Sequence, residues 1–172
     1  MRYLLPFAFF FIGFAGLSAQ DAELELGKNE VKLNALYLLI GAFEASYEYN
    51  LNEESSLGAS LTFVYEVSDF NFGLTPYYRL FFGRKPAAGF FVEGNAALFS
   101  YDEYDDCVTD SNGFCIDFSE SAVTAFGVGL SVGGKFLTKR EVVVEVYTGV
   151  GRIFSSDGGA YPRIGINIGK RF

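Results

Sequence analysis

Residues 161–172, YPRIGINIGKRF, separate into two sets when read alternately. Pro162, Ile164, Ile166, Ile168, Lys170 and Phe172 make one set, largely apolar, while Tyr161, Arg163, Gly165, Asn167, Gly169 and Arg171 make the other, polar or very small. Side chains on a β-strand point alternately to opposite faces, so the segment reads as a strand with one apolar and one polar face. The pattern recurs upstream. Phe43, Ala45, Tyr47, Tyr49 and Leu51 oppose Glu44, Ser46, Glu48 and Asn50, and Leu57, Leu61, Phe63 and Tyr65 oppose Gly58, Ser60, Thr62 and Glu66. In residues 122–136, Phe126, Val128, Leu130 and Val132 oppose Ala125, Gly127, Gly129 and Ser131. An ordinary soluble core cannot bury both faces without partners for the carboxylates. A barrel with lipid outside and a polar interior accommodates both.

The period predicts strands over 29–39, 43–51, 56–67, 70–82, 89–100, 121–137, 142–154 and 161–172. These segments have the length that a tilted membrane strand needs. The expected fold is all-β: an eight-stranded antiparallel up-and-down transmembrane barrel, closed because an open edge in lipid leaves backbone groups unsatisfied. An even strand number returns both ends to one side. Starting in the periplasm, the short connections 52–55, 83–88 and 138–141 fall inside, and 40–42, 68–69, 101–120 and 155–160 fall outside.

The first residues read as an export signal rather than as part of the barrel. Arg2 precedes an uncharged apolar run over 3–17, and Leu17-Ser18-Ala19 supplies small residues for a cut after Ala19. The run is shorter than the ~20 residues of a spanning helix. The expected organisation is a signal peptide over 1–19, a short N-terminal periplasmic segment over 20–28 and an outer-membrane barrel over 29–172. Export permits Cys107 and Cys115 to pair as a disulfide. Metal binding by the two thiols lacks any further Cys or His to complete a site.

With no His among 172 residues, the chain cannot build a Ser-His-Asp or Cys-His nucleophile, an imidazole metal site or a histidine base. No catalytic residue, metal or cofactor is expected. The net charge of −8 argues against a nucleic-acid partner. Gly127-x-Gly129 and Gly149-x-Gly151 lie inside alternating strands, without the strand-to-helix step of a phosphate cradle. The 20 Phe, 11 Tyr and 20 Gly instead suit a β architecture.

The inward faces collect Lys32, Glu44, Glu48, Glu66, Arg79, Glu93, Lys135, Glu145, Arg163 and Arg171. An eight-stranded barrel is just wide enough to be filled by side chains, so these charges are expected to meet as a salt-bridge network. A gated proton or ion path through them is the alternative. The connection 101–120, YDEYDDCVTDSNGFCIDFSE, interleaves acids with aromatics. Tyr101, Tyr104, Asp105, Asp106, Phe114, Asp117 and Phe118 are the candidate contact residues for an extracellular or surface partner. Calcium binding is conceivable for so many carboxylates, but the register does not match an EF-hand.

The early VKLNALYLL, the acidic-aromatic FEASYEYNL, the repeated G-x-G positions and the terminal YPRIGINIGKRF together resemble the small outer-membrane barrels of the OmpA-transmembrane-domain and OmpX type. The chain resembles still more closely the short, uncharacterised barrels of the Bacteroidetes group. That resemblance implies that the terminal strand, through Tyr161, Ile164, Ile166, Ile168 and Phe172, is read by the outer-membrane assembly machinery. It implies outer-membrane lipid as the surrounding medium. The expected function is a structural or surface-interaction barrel, with a narrow channel for a small solute or ion as the second reading. A lipocalin-like soluble barrel predicts the opposite faces, and its G-x-W signature cannot occur without Trp.

Overall fold

The computed structural model describes residues 27–65, 70–104, 108–109, 115–117, 120–154 and 158–172, of which 102–104, 108–109, 115–117 and 120–122 are described by backbone alone. Eight strands close into one antiparallel barrel: β1 (Asn29–Asn34), β2 (Ala42–Asn50), β3 (Ser55–Val64), β4 (Phe70–Phe82), β5 (Gly89–Tyr104), β8 (Glu120–Leu137), β9 (Val142–Phe154) and β10 (Gly159–Arg171). Each pairs with its sequence neighbour, and β1 pairs with β10 to close the ring. Between β5 and β8, β6 (Val108–Thr109) and β7 (Cys115–Asp117) form a separate two-stranded ribbon.

Two boundaries differ from the sequence reading. The first strand, expected over 29–39, stops at Asn34 and gives way to the helix α1 (Ala35–Leu39). The Asn34 side chain accepts hydrogen bonds from the Leu36 and Tyr37 amides, at 3.1 and 3.4 Å, which caps the helix and turns the chain off the ladder. The following ALYLLI also has no alternating polar face with which to continue a strand. Beyond Asn167, opposite Asn34, β10 therefore has no strand on its β1 side. The Ile166 amide, aimed at this edge, donates to the Asn34 side chain at 3.2 Å. By parity Pro162 would aim its N–H the same way and has none to leave unpaired.

The second difference is at the long connection. The β5–β8 ladder runs on to Tyr104↔Glu120, so Tyr101 and Tyr104 belong to a strand rather than to the expected loop. Each backbone group there finds its partner directly across, which favours extending the ladder. Asp105, Asp106, Cys107, Phe114, Phe118 and Glu66 lie outside the described residues, as does the side chain of Cys115.

Alternation partitions every strand as the sequence predicted. Leu57, Leu61, Phe63, Leu130, Val146, Ile164, Ile166 and Ile168 are exposed on the outer wall, while Glu48, Arg79, Glu93 and Glu145 are completely buried within. Five of the interior rings follow a simple rule. Tyr77, Phe91, Phe99, Tyr147 and Tyr161 each stand directly across a strand pair from a glycine: Gly58, Gly133, Gly73, Gly165 and Gly151. Each ring lies over its glycine; a Cβ at Gly58 would sit 2.5 Å from the Tyr77 ring, and one at Gly165 2.5 Å from that of Tyr147. Glycine at these sites is a seat for an aromatic ring. Gly165→Val should displace Tyr147 and cost about 1–3 kcal/mol, read as a lowered urea midpoint. Gly94→Ala should leave the midpoint in place, because nothing lies within 4 Å of the added methyl.

Candidate functional site

The interior is the chemically dense part of the molecule. Strand register places Arg79 opposite Glu93, Lys135 opposite Glu145 and Arg171 opposite Glu30. Opposite charges directly across a ladder attract, so these pairs form wherever the barrel holds its register. Glu30 and Glu48, by contrast, stand opposite each other with like charge. That arrangement is tolerated because Lys32 and Lys135 each contact both carboxylates.

Contacts across the lumen join these pairs into one network. Lys32 reaches Glu145 at 2.7 Å and also bonds Glu48. Arg79 donates to Glu48 at 2.8 Å, to Glu93 at 2.8 Å and to Glu145 at 3.0 Å. Lys135 bonds Glu48 at 2.5 Å and Glu30 at 2.9 Å. Arg163 bridges Glu93 at 3.0 Å and Glu44 at 3.3 Å. The five cations Lys32, Arg79, Lys135, Arg163 and Arg171 thus meet the five carboxylates Glu30, Glu44, Glu48, Glu93 and Glu145, and the described cluster is neutral. Neutrality matters because an unpaired charge so far from water is strongly destabilising.

Glu48 is the hub. Its carboxylate takes Lys32, Arg79 and Lys135 together with the Ser56 hydroxyl at 2.6 Å and the Tyr77 hydroxyl at 3.2 Å. Glu44 is served by Asn34, Thr62, Tyr147 and Arg163. Arg79 lies over the faces of Tyr77 and Phe91, at 4.4 and 4.3 Å from their centroids, so the rings seated on glycine also shield the guanidinium. Glu30, Glu48 and Glu145 converge closely enough to suggest a metal cage. The ammonium groups of Lys32 and Lys135 already bond all three carboxylates, which leaves a cation no role there.

The two ends of the barrel differ. At the short-turn end, residues 83–88 fold inward: the Arg171 guanidinium donates to the Pro86 and Ala87 carbonyls at 3.0 and 2.8 Å, and the Ala87 amide donates to Glu53. Ala87 and Ala88 are buried, and Phe81, Ala87, Phe91 and Tyr147 form an apolar cluster there. At the other end a cavity of about 330 Å³ opens above Arg163 and Glu44.

Of the ten interior charges expected from sequence, nine are buried in this network, and Glu66 is outside the described residues. Glu30 was missed, although it shares the parity of Lys32 and could have been found by extending the alternation two residues back. In the terminal strand, Ile164, Ile166, Ile168 and Phe172 face outward, whereas Tyr161 turns inward and donates to Asn95 at 2.6 Å.

Residues 6–164 match one protein family, described as "Protein of unknown function (DUF3575)". No curated protein matches the chain. Among solved structures, the N-terminal beta-barrel domain of Pseudomonas aeruginosa OprF superposes with a TM-score of 0.54 at 13% identity, over 86% of this chain and 100% of that one. At that identity the likeness is one of fold.

Proposed function

Since the chain belongs to the family described as "Protein of unknown function (DUF3575)", whose description carries no activity, we propose from the barrel itself an outer-membrane protein with a structural or surface-interaction role and a lumen closed to solutes. The observation that carries this reading is the inversion of polarity. The strands turn their apolar sides outward and their buried charges inward, as strands surrounded by hydrocarbon require, and the outward charges Arg152 and Lys170 lie toward the strand ends. Outward aromatics also concentrate toward both rims, with Phe43, Phe63, Phe72, Phe126 and Phe154 near one end and Tyr49, Tyr78, Phe82, Phe90 and Phe136 near the other. Such girdles suit the two lipid–water interfaces.

In this reading residues 1–19 direct export and are removed, 20–28 lie in the periplasm, and the short turns face inward. The alternating terminal strand with Phe172 is the segment the assembly machinery engages. The connection beyond the β5–β8 ladder, residues 105–119 with the proposed Cys107–Cys115 bridge, faces the cell exterior in this reading and offers the surface for a partner.

The network supports a closed lumen. Fully buried, mutually bonded Glu48, Arg79, Glu93, Lys135 and Glu145 occupy the width of the barrel. The protein should sediment with outer membranes and run faster on gels unheated than boiled; recovery in the soluble periplasm would overturn the assignment. Purified protein in planar bilayers should stay at the baseline conductance. Reproducible single-channel steps would favour a narrow ion or solute path instead.

A further inference from the structure

The cavity rests on the charge plug, sharing Glu44 and Arg163 with it, and the rest of its walls have a different chemistry. Phe70, Phe99 and Tyr161 form a continuous aromatic wall, with centroids 5.9 Å apart for the first pair and 5.1 Å for the second. The wall is held in place from behind. Tyr161 is seated against Gly127 and Gly151, with its hydroxyl tied to Asn95, so its ring is anchored before any ligand arrives. Tyr37 of α1 lines the opposite side, where a continued first strand would have stood. Pre-formed apolar pockets with a few placed polar groups are the usual form of small-molecule sites.

Glu44, Thr62, Thr75 and Arg163 put polar groups on the cavity wall, and Arg163 supplies the cation. It is 5% exposed and lines the cavity. Its Nε is committed to Glu93 and its Nη1 to Glu44 and Ser60, while Nη2 has no hydrogen-bond partner among the described residues. Nη2 is not one of the buried side-chain atoms left without a partner, so it reaches the open space of the cavity, where an acceptor on a ligand takes the place of water. The charge of Arg163 is already matched by Glu44 and Glu93, so a ligand bringing a further carboxylate would meet two anions and gain little. The acceptor that fits is neutral.

We infer that this cavity is a binding site for a small, neutral, largely apolar molecule whose single carbonyl or hydroxyl oxygen accepts a hydrogen bond from Arg163. At interior packing density the volume holds on the order of fifteen non-hydrogen atoms, the size of a bicyclic aromatic or a short acyl compound. The site does not depend on where the protein resides, so its failure and that of the membrane assignment are separable.

The test uses the full mature chain in amphipol, which avoids competing detergent, with two probes followed by equilibrium dialysis. Prodan, a neutral naphthyl ketone, should bind saturably at one per chain. Dimethylaminonaphthalene, which lacks the ketone, should bind about tenfold more weakly or worse, the usual range for a lost hydrogen bond to a charged group. Thr75→Phe, filling the cavity from β4, should abolish Prodan binding while keeping the heat-modifiable mobility of the folded barrel. Equal binding of the two probes, or uptake that never saturates, would overturn the inference, as would unchanged binding by folded Thr75→Phe. The probe comparison stands on the unmodified protein even if that variant fails to fold.

Discussion

Glu48→Leu should be the most damaging single substitution in the described lumen, with a loss of about 3–5 kcal/mol or outright failure to reach the heat-modifiable folded form. Leucine fits the space but leaves Lys32, Arg79 and Lys135 without the carboxylate they share, and the cluster carries a net positive charge. The Ser56 and Tyr77 hydroxyls lose their acceptor as well. Glu48→Gln should cost less, because the amide keeps an acceptor oxygen in place. Adding Lys135→Met to Glu48→Gln restores neutrality and should recover part of the loss, with a coupling above about 1 kcal/mol in a double-mutant cycle. Urea midpoints of the refolded variants supply all three values. A Glu48→Leu protein as stable as the wild type would show that the network is not held together at this carboxylate.

The second large effect belongs to the outer wall and follows from the proposed membrane setting. Leu130 is 67% exposed midway along β8, between Gly94 and Val150 on the neighbouring strands. Leu130→Arg should cost about 2–4 kcal/mol in lipid vesicles, the penalty for a cation near the bilayer midplane. Val142→Arg, on the same outward parity of β9 but at the short-turn rim, should cost only about 0–1 kcal/mol. The contrast between the two sites is what matters. Equal and small penalties at both depths would mean that water, not hydrocarbon, surrounds the wall.

Much of this architecture was legible in the order of residues. A two-residue repeat is a property of the strand itself, so the parity of Lys32, Glu44, Glu48, Arg79, Glu93, Lys135, Glu145, Arg163 and Arg171 fixes which face they share once the strands are placed. The adjacency of consecutive strands is equally local, since short turns join neighbours. Parity does not say which charges touch. Lys32 with Glu145, Arg79 with Glu145 and Lys135 with Glu48 join strands that are not hydrogen-bonded to each other. Those contacts depend on closure and on the stagger of the whole ring, which no segment encodes alone. The end of β1 was misread for a related reason: an apolar run without alternation suits helix or strand, and the choice fell to Asn34, whose side chain caps α1 while also taking the Ile166 amide.

The sequence by itself therefore determined an eight-stranded barrel with an apolar outside and a charged inside, because alternation and strand length act residue by residue. Only the tertiary structure decided that Glu48 is the hub of a neutral plug, that the aromatic rings sit on cross-strand glycines, and that a cavity remains above Arg163. Each of these depends on which residues from distant strands arrive at the same height, and that is settled when the ring closes.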